Sequence, residues 1–324
     1  MTYCFVGICL LPLVGGQEYQ LSTSTMLEGH QVLGFGFFVI GLWHLFNHIK
    51  LHALCSMSYT STLWFPTTKS RYLELKFIIT SSTIFIALEL FISPARHQPF
   101  NPDGSIPSDH LHNFEHSSMA MSFLVYATFA LVLDKICSKA QYELTHFLGA
   151  IAFAQQFLLI HLHSRDHMGL EGQYHYFLQL LILVSLSTTL MGIGYPNSFL
   201  VSFVRSFSIM FQGLWLMVMG FLLWTPGFQA KGCVTHLREY MVTCNDDDAL
   251  HRAKSLVNIL FSWLLILVTI FVMSFYLVLV TRYGIEKVEY ASLVKEQHHL
   301  ENGLTIDVES QNHKHANNVA DLST

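Results

Sequence analysis

The sequence predicts an all-α integral membrane protein, a bundle of seven transmembrane helices, on three observations. Of 324 residues, 52% are hydrophobic and only 12% are charged, where a soluble protein carries about 25% charged residues. The apolar residues gather in seven runs, each near the roughly 20 residues that a helix needs to cross a bilayer. The runs are continuous and do not alternate apolar with polar, which excludes a membrane β-barrel. Backbone in lipid must satisfy its own hydrogen bonds, so the runs are helices.

Residues 1–25 read as an N-terminal extension or signal-like segment. Cys4 to Val14 has the length of a signal-peptide core, but no Lys or Arg precedes it. Residues 26–284 form the transmembrane domain, with spans expected near 31–47, 73–93, 114–133, 144–161, 174–194, 199–224 and 256–282. The first span is the weakest. It carries Gly34, Gly36 and Gly41, and small residues let helices approach closely in lipid, which suits a buried place in the bundle. The loop from His97 to Asp109 holds three prolines and an Asp-Gly pair, which force turns. Ser108 or Asp109 is placed to cap the third helix. In the sixth span, Gly213, Gly220 and Trp215 read as packing and interface anchors. The loop before the last span ends in the acidic run Asp246 to Asp248, which suits a helix N-terminus. From residue 285 to 324 the chain turns polar and is expected to be a disordered cytoplasmic tail after a first helical turn or two.

Lys and Arg set the orientation. Lys50, Lys69, Arg71, Lys76, Lys135, Lys139, Arg205 and the tail residues Arg282, Lys287, Lys295 and Lys314 fall on one side, and fewer fall on the other. The N-terminus is therefore expected outside and the C-terminus in the cytoplasm. Cys233 and Cys244 share an outer loop, and their spacing permits a disulfide in an oxidising compartment. Net charge is −5, and no basic stripe interleaved with aromatics appears, so nucleic acid is not an expected partner. P-loop, HExxH, GxSxG and GxGxxG motifs are absent, as is any repeat of fixed period.

The chemistry lies in the 19 histidines. Imidazole is the commonest metal ligand and titrates near neutrality, and an ionisable group inside a membrane span is a functional hypothesis by default. His112, Glu115 and His116 fall three and four apart at the start of the third span. His161, His163, Asp166 and His167 close the fourth. His175 opens the fifth, His30 opens the first, and Glu89 lies about one turn inside the end of the second. Alternating helix direction brings all of these to one membrane level, on the outer side. His30, His112, His116, His161, His163 and His175 are the expected metal ligands, for zinc or another divalent ion. Glu89 and Glu115 are the expected catalytic acid and base, and a metal-bound water would support hydrolysis. His44, His48 and His52 form a second stripe toward the cytoplasmic side, expected to touch lipid headgroups at the rim. A bis-histidine haem is disfavoured there, because His146 is the only candidate partner and is poorly matched in depth.

Several stretches resemble the transmembrane protein 45 family, also called domain of unknown function 716, and its plant-type members in particular. They are GHxxxGFGFFxIGLWH from Gly29, HNFEHSSM from His112, AIAFAQQFLLIHLHSRDHMGLEGQYH from Ala150, RSFSIMFQGLWLMVMGF from Arg205 and HRAKSLVNILFSW from His251. The resemblance implies a seven-helix protein of endomembranes such as the Golgi and supplies no reaction. It implies shared histidine positions at His30, His116, His161, His163 and His175. Three readings follow: a metal-dependent membrane hydrolase of a lipid-like substrate, a transporter or proton-coupled carrier, and a non-enzymatic scaffold or trafficking protein. Membrane lipid and a lipid-like or small-molecule ligand are the expected partners, a homodimer is left open, and the plasma membrane is the alternative location.

Overall fold

A computed structural model describes residues 18–92, 98–166, 169–225, 227–236 and 241–320, with the backbone alone at 18–28, 109, 165–166, 235–236, 241 and 285–320. Expectations for residues 1–17, His97 and His167, and for the side chain of Asp166, lie outside the described residues.

The helices are α1 (Glu18–Leu54), α2 (Leu73–Ala87), α3 (Leu111–Lys135), α4 (Gln141–Asp166), α5 (Leu170–Gly194), α6 (Phe199–Trp224) and α7 (Asp247–Ala320). All seven are long and apolar enough to cross a membrane, α2 counting with the π-helical turn Leu88–Ile92 that extends it. A short antiparallel hairpin, β1 (Cys233–His236) and β2 (Met241–Cys244), joins α6 to α7. Cys233 and Cys244 are paired in register and joined by a disulfide. The start of α1, α3, α5 and α7 and the finish of α2, α4 and α6 share this disulfide end of the bundle.

Of the glycines expected to allow close approach, Gly34 and Gly41 do so between α1 and α6, and nothing lies within 4 Å of a methyl added at Gly36. A methyl group added at Gly34 would lie 2.7 Å from the Gly213 carbonyl oxygen. One at Gly41 would meet the Met210 backbone, and one at Gly220 would lie 2.6 Å from His30 Cβ. α6 is consequently the bundle's central helix, with Trp215, Phe211, Met210 and Met219 buried. Trp215 is therefore an internal packing residue and not an interface anchor. Its indole nitrogen donates to the Tyr174 carbonyl at 2.9 Å, which removes the polar group that would hold it at a headgroup layer. α1 barely touches α2, which packs on α3. α7 touches α1, α5 and α6 and leaves Trp263, Leu267 and Ile270 facing outward.

Local expectations meet mixed outcomes. Asp246 Oδ1 accepts from the Ala249 amide at 2.7 Å, so the acidic run does cap α7. Ser108 instead opens a 3₁₀ turn, and α3 begins after His110 without a side-chain cap. The backbone of α7 is helical to Ala320. No proline interrupts that stretch, so the helix meets no covalent stop. At the opposite end, the segment between α1 and α2 folds back into the bundle. Tyr59, Leu63, Trp64 and Phe65 are buried there, and Tyr126 Oη donates to the Leu63 carbonyl at 2.9 Å.

Candidate functional site

Periodicity on α3 turns His112, Glu115 and His116 toward α2 and α4, as the spacing implies. The π-helical turn at the end of α2, a feature frequent at functional sites, carries Glu89. Asn113 Nδ2 donates to Glu89 Oε2 at 2.7 Å, and His116 Nδ1 lies 3.5 Å from Glu89 Oε1. His163 Nδ1 lies 3.1 Å from Glu115 Oε2. The imidazole rings form a chain from α1 across α3 and α4 to α5. His30 to His116 is 6.4 Å between ring centres, His112 to His116 is 6.2 Å, His116 to His163 is 6.0 Å, and His163 to His175 is 5.1 Å. His175 Nδ1 donates to the Glu171 carbonyl at 2.9 Å, which fixes its tautomer. Glu89, Glu115, His30, His112, His116, His163 and His175 are thus linked by pairwise contacts near the disulfide end of the bundle.

His161 does not join them. Its ring parallels that of Phe157 on the exposed side of α4. Successive residues on a helix advance by about 100°, so a side chain two positions from an inward His163 points away from it. Among the described residues, no three His, Cys, Asp or Glu side chains converge as a metal site would need. The imidazoles and carboxylates meet in pairs instead.

A cavity of about 190 Å³ runs from these residues into the bundle. Glu89, His116, His175 and His30 line its disulfide end, and His44, Leu63 and Tyr126 line its far end. Between them the wall is mostly apolar, with Phe37, Phe85, Phe123, Phe153 and Met219 among its residues. Val32, Phe77 and Ser81 line the cavity and are also exposed on the outside of the bundle. The thin contact between α1 and α2 therefore leaves a side opening toward lipid.

The second histidine stripe is not a headgroup rim. His44 and His48 are 3% and 0% exposed. His44 Nε2 lies 2.7 Å from Glu74 Oε1, and Glu74 Oε2 also accepts from Trp43 Nε1 and the Phe65 amide. His48 Nδ1 pairs with Tyr59 Oη at 2.8 Å. Burial pushes the Tyr59 hydroxyl up to about 12, so it stays neutral. Arg205, counted above among the loop charges, is instead fully buried. Its guanidinium lies between His48 Nε2 and His146 Nε2, 3.5 Å from each, and donates to the Thr62 carbonyl and Ser61 Oγ. Arg205 thus stands between the two histidines that a bis-histidine haem would have used. Glu74 and Asn113 carry no signal in the sequence that singles them out, and for Arg205 the sequence leaves open both a cavity-facing place and a snorkel to the cytoplasmic edge, of which the structure takes the buried one.

At the disulfide end, Glu171 Oε1 accepts from the Val242 amide at 2.8 Å and ties α5 to the hairpin. The histidine contacts and the disulfide thus lie at the same end of the bundle.

Residues 142–277 match a family of unknown function, DUF716. The matched segment contributes nearly all of α4, then α5, α6 and the first part of α7, and with them His163, His175 and Arg205. Glu89, Glu115 and His116 lie before it. Curated proteins gave no match to the chain.

Proposed function

We propose that this protein binds a lipid-like molecule inside its membrane bundle. The polar end of the ligand sits among His30, Glu89, His116 and His175, and its chain lies in the apolar part of the cavity. The observation that carries this reading is the cavity, with a polar layer at one end, aromatic and aliphatic walls, and a side opening between α1 and α2. Ligand sites of this kind pair a largely apolar lining with a few placed polar groups. Imidazole–carboxylate pairs suit a headgroup that exchanges hydrogen bonds or protons.

The disulfide beside the histidines supports an outer or lumenal side for that end of the bundle, since such bridges persist in oxidising compartments. The motifs quoted above support a place among plant-type members of the transmembrane protein 45 family and an endomembrane, Golgi-like location.

The test is native mass spectrometry of the detergent-purified chain. Roughly one retained lipid per chain is expected, held about tenfold more weakly after Glu89→Gln or His116→Ala. His161→Ala is expected to leave retention unchanged. No retained lipid, or equal retention in all variants, refutes the reading.

A zinc-dependent hydrolase is the second reading, favoured by the three imidazoles of His30, His112 and His163 that surround His116. It needs a further donor to join the Glu89–His116 pair. Metal analysis decides it: about one zinc per chain, lost in His116→Ala, would put hydrolysis ahead of binding.

A further inference from the structure

The end of the bundle opposite the disulfide carries cations that the cavity does not use. Lys69, Arg71, Lys76, Lys135 and Lys139 are all exposed there. Such residues are usual at the cytoplasmic edge of a membrane protein, so their number alone marks no site. The arrangement around Asp134 does.

Asp134 stands near the finish of α3 with a side chain only 8% exposed. Its Oδ2 accepts from Arg71 Nε at 3.0 Å and from Tyr72 Oη at 2.8 Å. Its Oδ1 accepts from Arg71 Nη2 at 3.0 Å and from Gln141 Nε2 at 2.8 Å. One carboxylate thus gathers the approach to α2, the finish of α3 and the start of α4. The two parallel bonds hold the guanidinium in a set plane, yet the arginine side chain stays 61% exposed. A guanidinium has five N–H groups, and Asp134 takes only two of them.

Tyr72 brings a second cation to the same place. Arg71 Cζ lies 5.8 Å from its ring centre and Lys135 Nζ lies 6.0 Å from it. Two positive charges therefore share one aromatic platform, and Asp134 balances one of them. Lys76 follows Tyr72 by one turn of α2, which puts it on the same face. An anion is the complement of this surface.

The neighbouring surface says which anion. In the adjoining turns of the same two helices, Leu73, Phe77, Phe129 and Val132 are exposed. Exposed apolar side chains on a membrane helix meet acyl chains. A ligand here would thus place phosphate at the cations and hydrocarbon along this strip, as a lipid does and a free anion does not. The lysine and arginine bias gives this end to the cytoplasm, whose leaflet holds the anionic lipids.

We propose that Arg71, Tyr72 and Lys135 form a site for the headgroup of a phospholipid that carries more than one negative charge. Arg71 meets the phosphate oxygens as a positioned fork, where a lysine would offer only a point charge. Lys135 and Lys76 supply the further positive charge. None of these four residues lines the cavity, so the site stands independently of the ligand bound there.

The test follows a fluorescent phosphatidylinositol bisphosphate on the purified full-length chain in phosphatidylcholine nanodiscs. Competitors are the unlabelled lipid, phosphatidylserine at equal total negative charge, and the free inositol phosphate headgroup. The unlabelled bisphosphate lipid is expected to compete about tenfold better than either of the others. Arg71→Gln and Lys135→Gln should each weaken binding about tenfold. Arg71→Lys keeps the charge but gives up the fork, and should weaken it too. Arg252→Gln, at the disulfide end, should leave it unchanged. The competition on the unaltered chain decides the matter even where a variant fails to fold. Phosphatidylserine as good as the bisphosphate lipid overturns the site, and so does full affinity in Arg71→Gln with Lys135→Gln. Full affinity in Arg71→Lys overturns the positioned fork. A free headgroup as good as the lipid overturns the assignment to a membrane lipid.

Discussion

His44 and Glu74 meet at 2.7 Å with side chains only 4% and 2% exposed, joining the inner half of α1 to the start of α2. The two helices otherwise barely touch, so this pair and the Trp43 bond beside it are the main polar tie between them. Replacing Glu74 by Leu would strand the His44, Trp43 and Phe65 donors. A loss of about 3–5 kcal/mol is expected, the range for removing one member of a buried pair. Thermal unfolding of the detergent-purified variant measures it, and an unchanged Tm would show that the pair is not structural.

Arg205 makes a different case. Its partners are neutral acceptors: two imidazoles, a hydroxyl and a carbonyl. Arg205→Ala leaves these acceptors and a void in the inner half of the bundle. Each buried unmet group costs about 1–3 kcal/mol, so this variant is expected to be among the least stable. Arg205→Lys should recover only part of the loss, because one ammonium cannot span both histidines in a fixed plane. Fluorescence-detected size exclusion of the three proteins after graded heating ranks them. Equal melting of the Lys variant and the parent would show that the fork geometry is immaterial.

The glycines of α1 divide into two kinds. A side chain at Gly41 runs into the Met210 backbone, which cannot yield, whereas at Gly36 nothing lies within 4 Å of an added methyl. Gly41→Val is therefore expected to separate α1 from α6 and abolish folded expression. Gly36→Ala should fold normally, with a stability change below about 1 kcal/mol. Comparable yields of the two variants would contradict the close α1–α6 approach.

The disulfide closes a short loop, and its removal is expected to cost about 3 kcal/mol. Cys55 and Cys137 are exposed free thiols. A maleimide reagent on the non-reduced, denatured protein should spare Cys233 and Cys244 while labelling both of these. Peptide mapping reads the outcome, and labelling of Cys233 without reductant would exclude the bridge. Cys233→Ser with Cys244→Ser should also loosen the hairpin from α5, where Glu171 accepts from Val242.

Much of the architecture was legible in the sequence. The hydrocarbon core demands about 20 apolar residues of every span, and seven runs met that demand at the places where seven helices stand. Helix direction alternates, so position along each span follows from counting, and the contacts that link Glu89, Glu115, His30, His112, His116, His163 and His175 all fall near the same helix ends. Residue type and spacing also pointed to Gly34 and Gly41 as close-approach sites and permitted, without deciding, the Cys233–Cys244 bridge.

Rotation about each helix axis and lateral order in the bundle were not legible, because depth places no constraint on either. His161 and His163 share a depth, yet one faces out and the other faces Glu115. Packing turns Glu74 onto His44, and Arg205 onto His48 and His146, pairings that position along a span does not specify. The cavity exists because α1 follows α6 at glycine distance and leaves α2 apart. The sequence by itself determined how many helices there are, how deep each polar group lies and which cysteines can join. Only tertiary packing decided which polar groups meet, since that depends on side-chain volumes summed across helices distant in the chain.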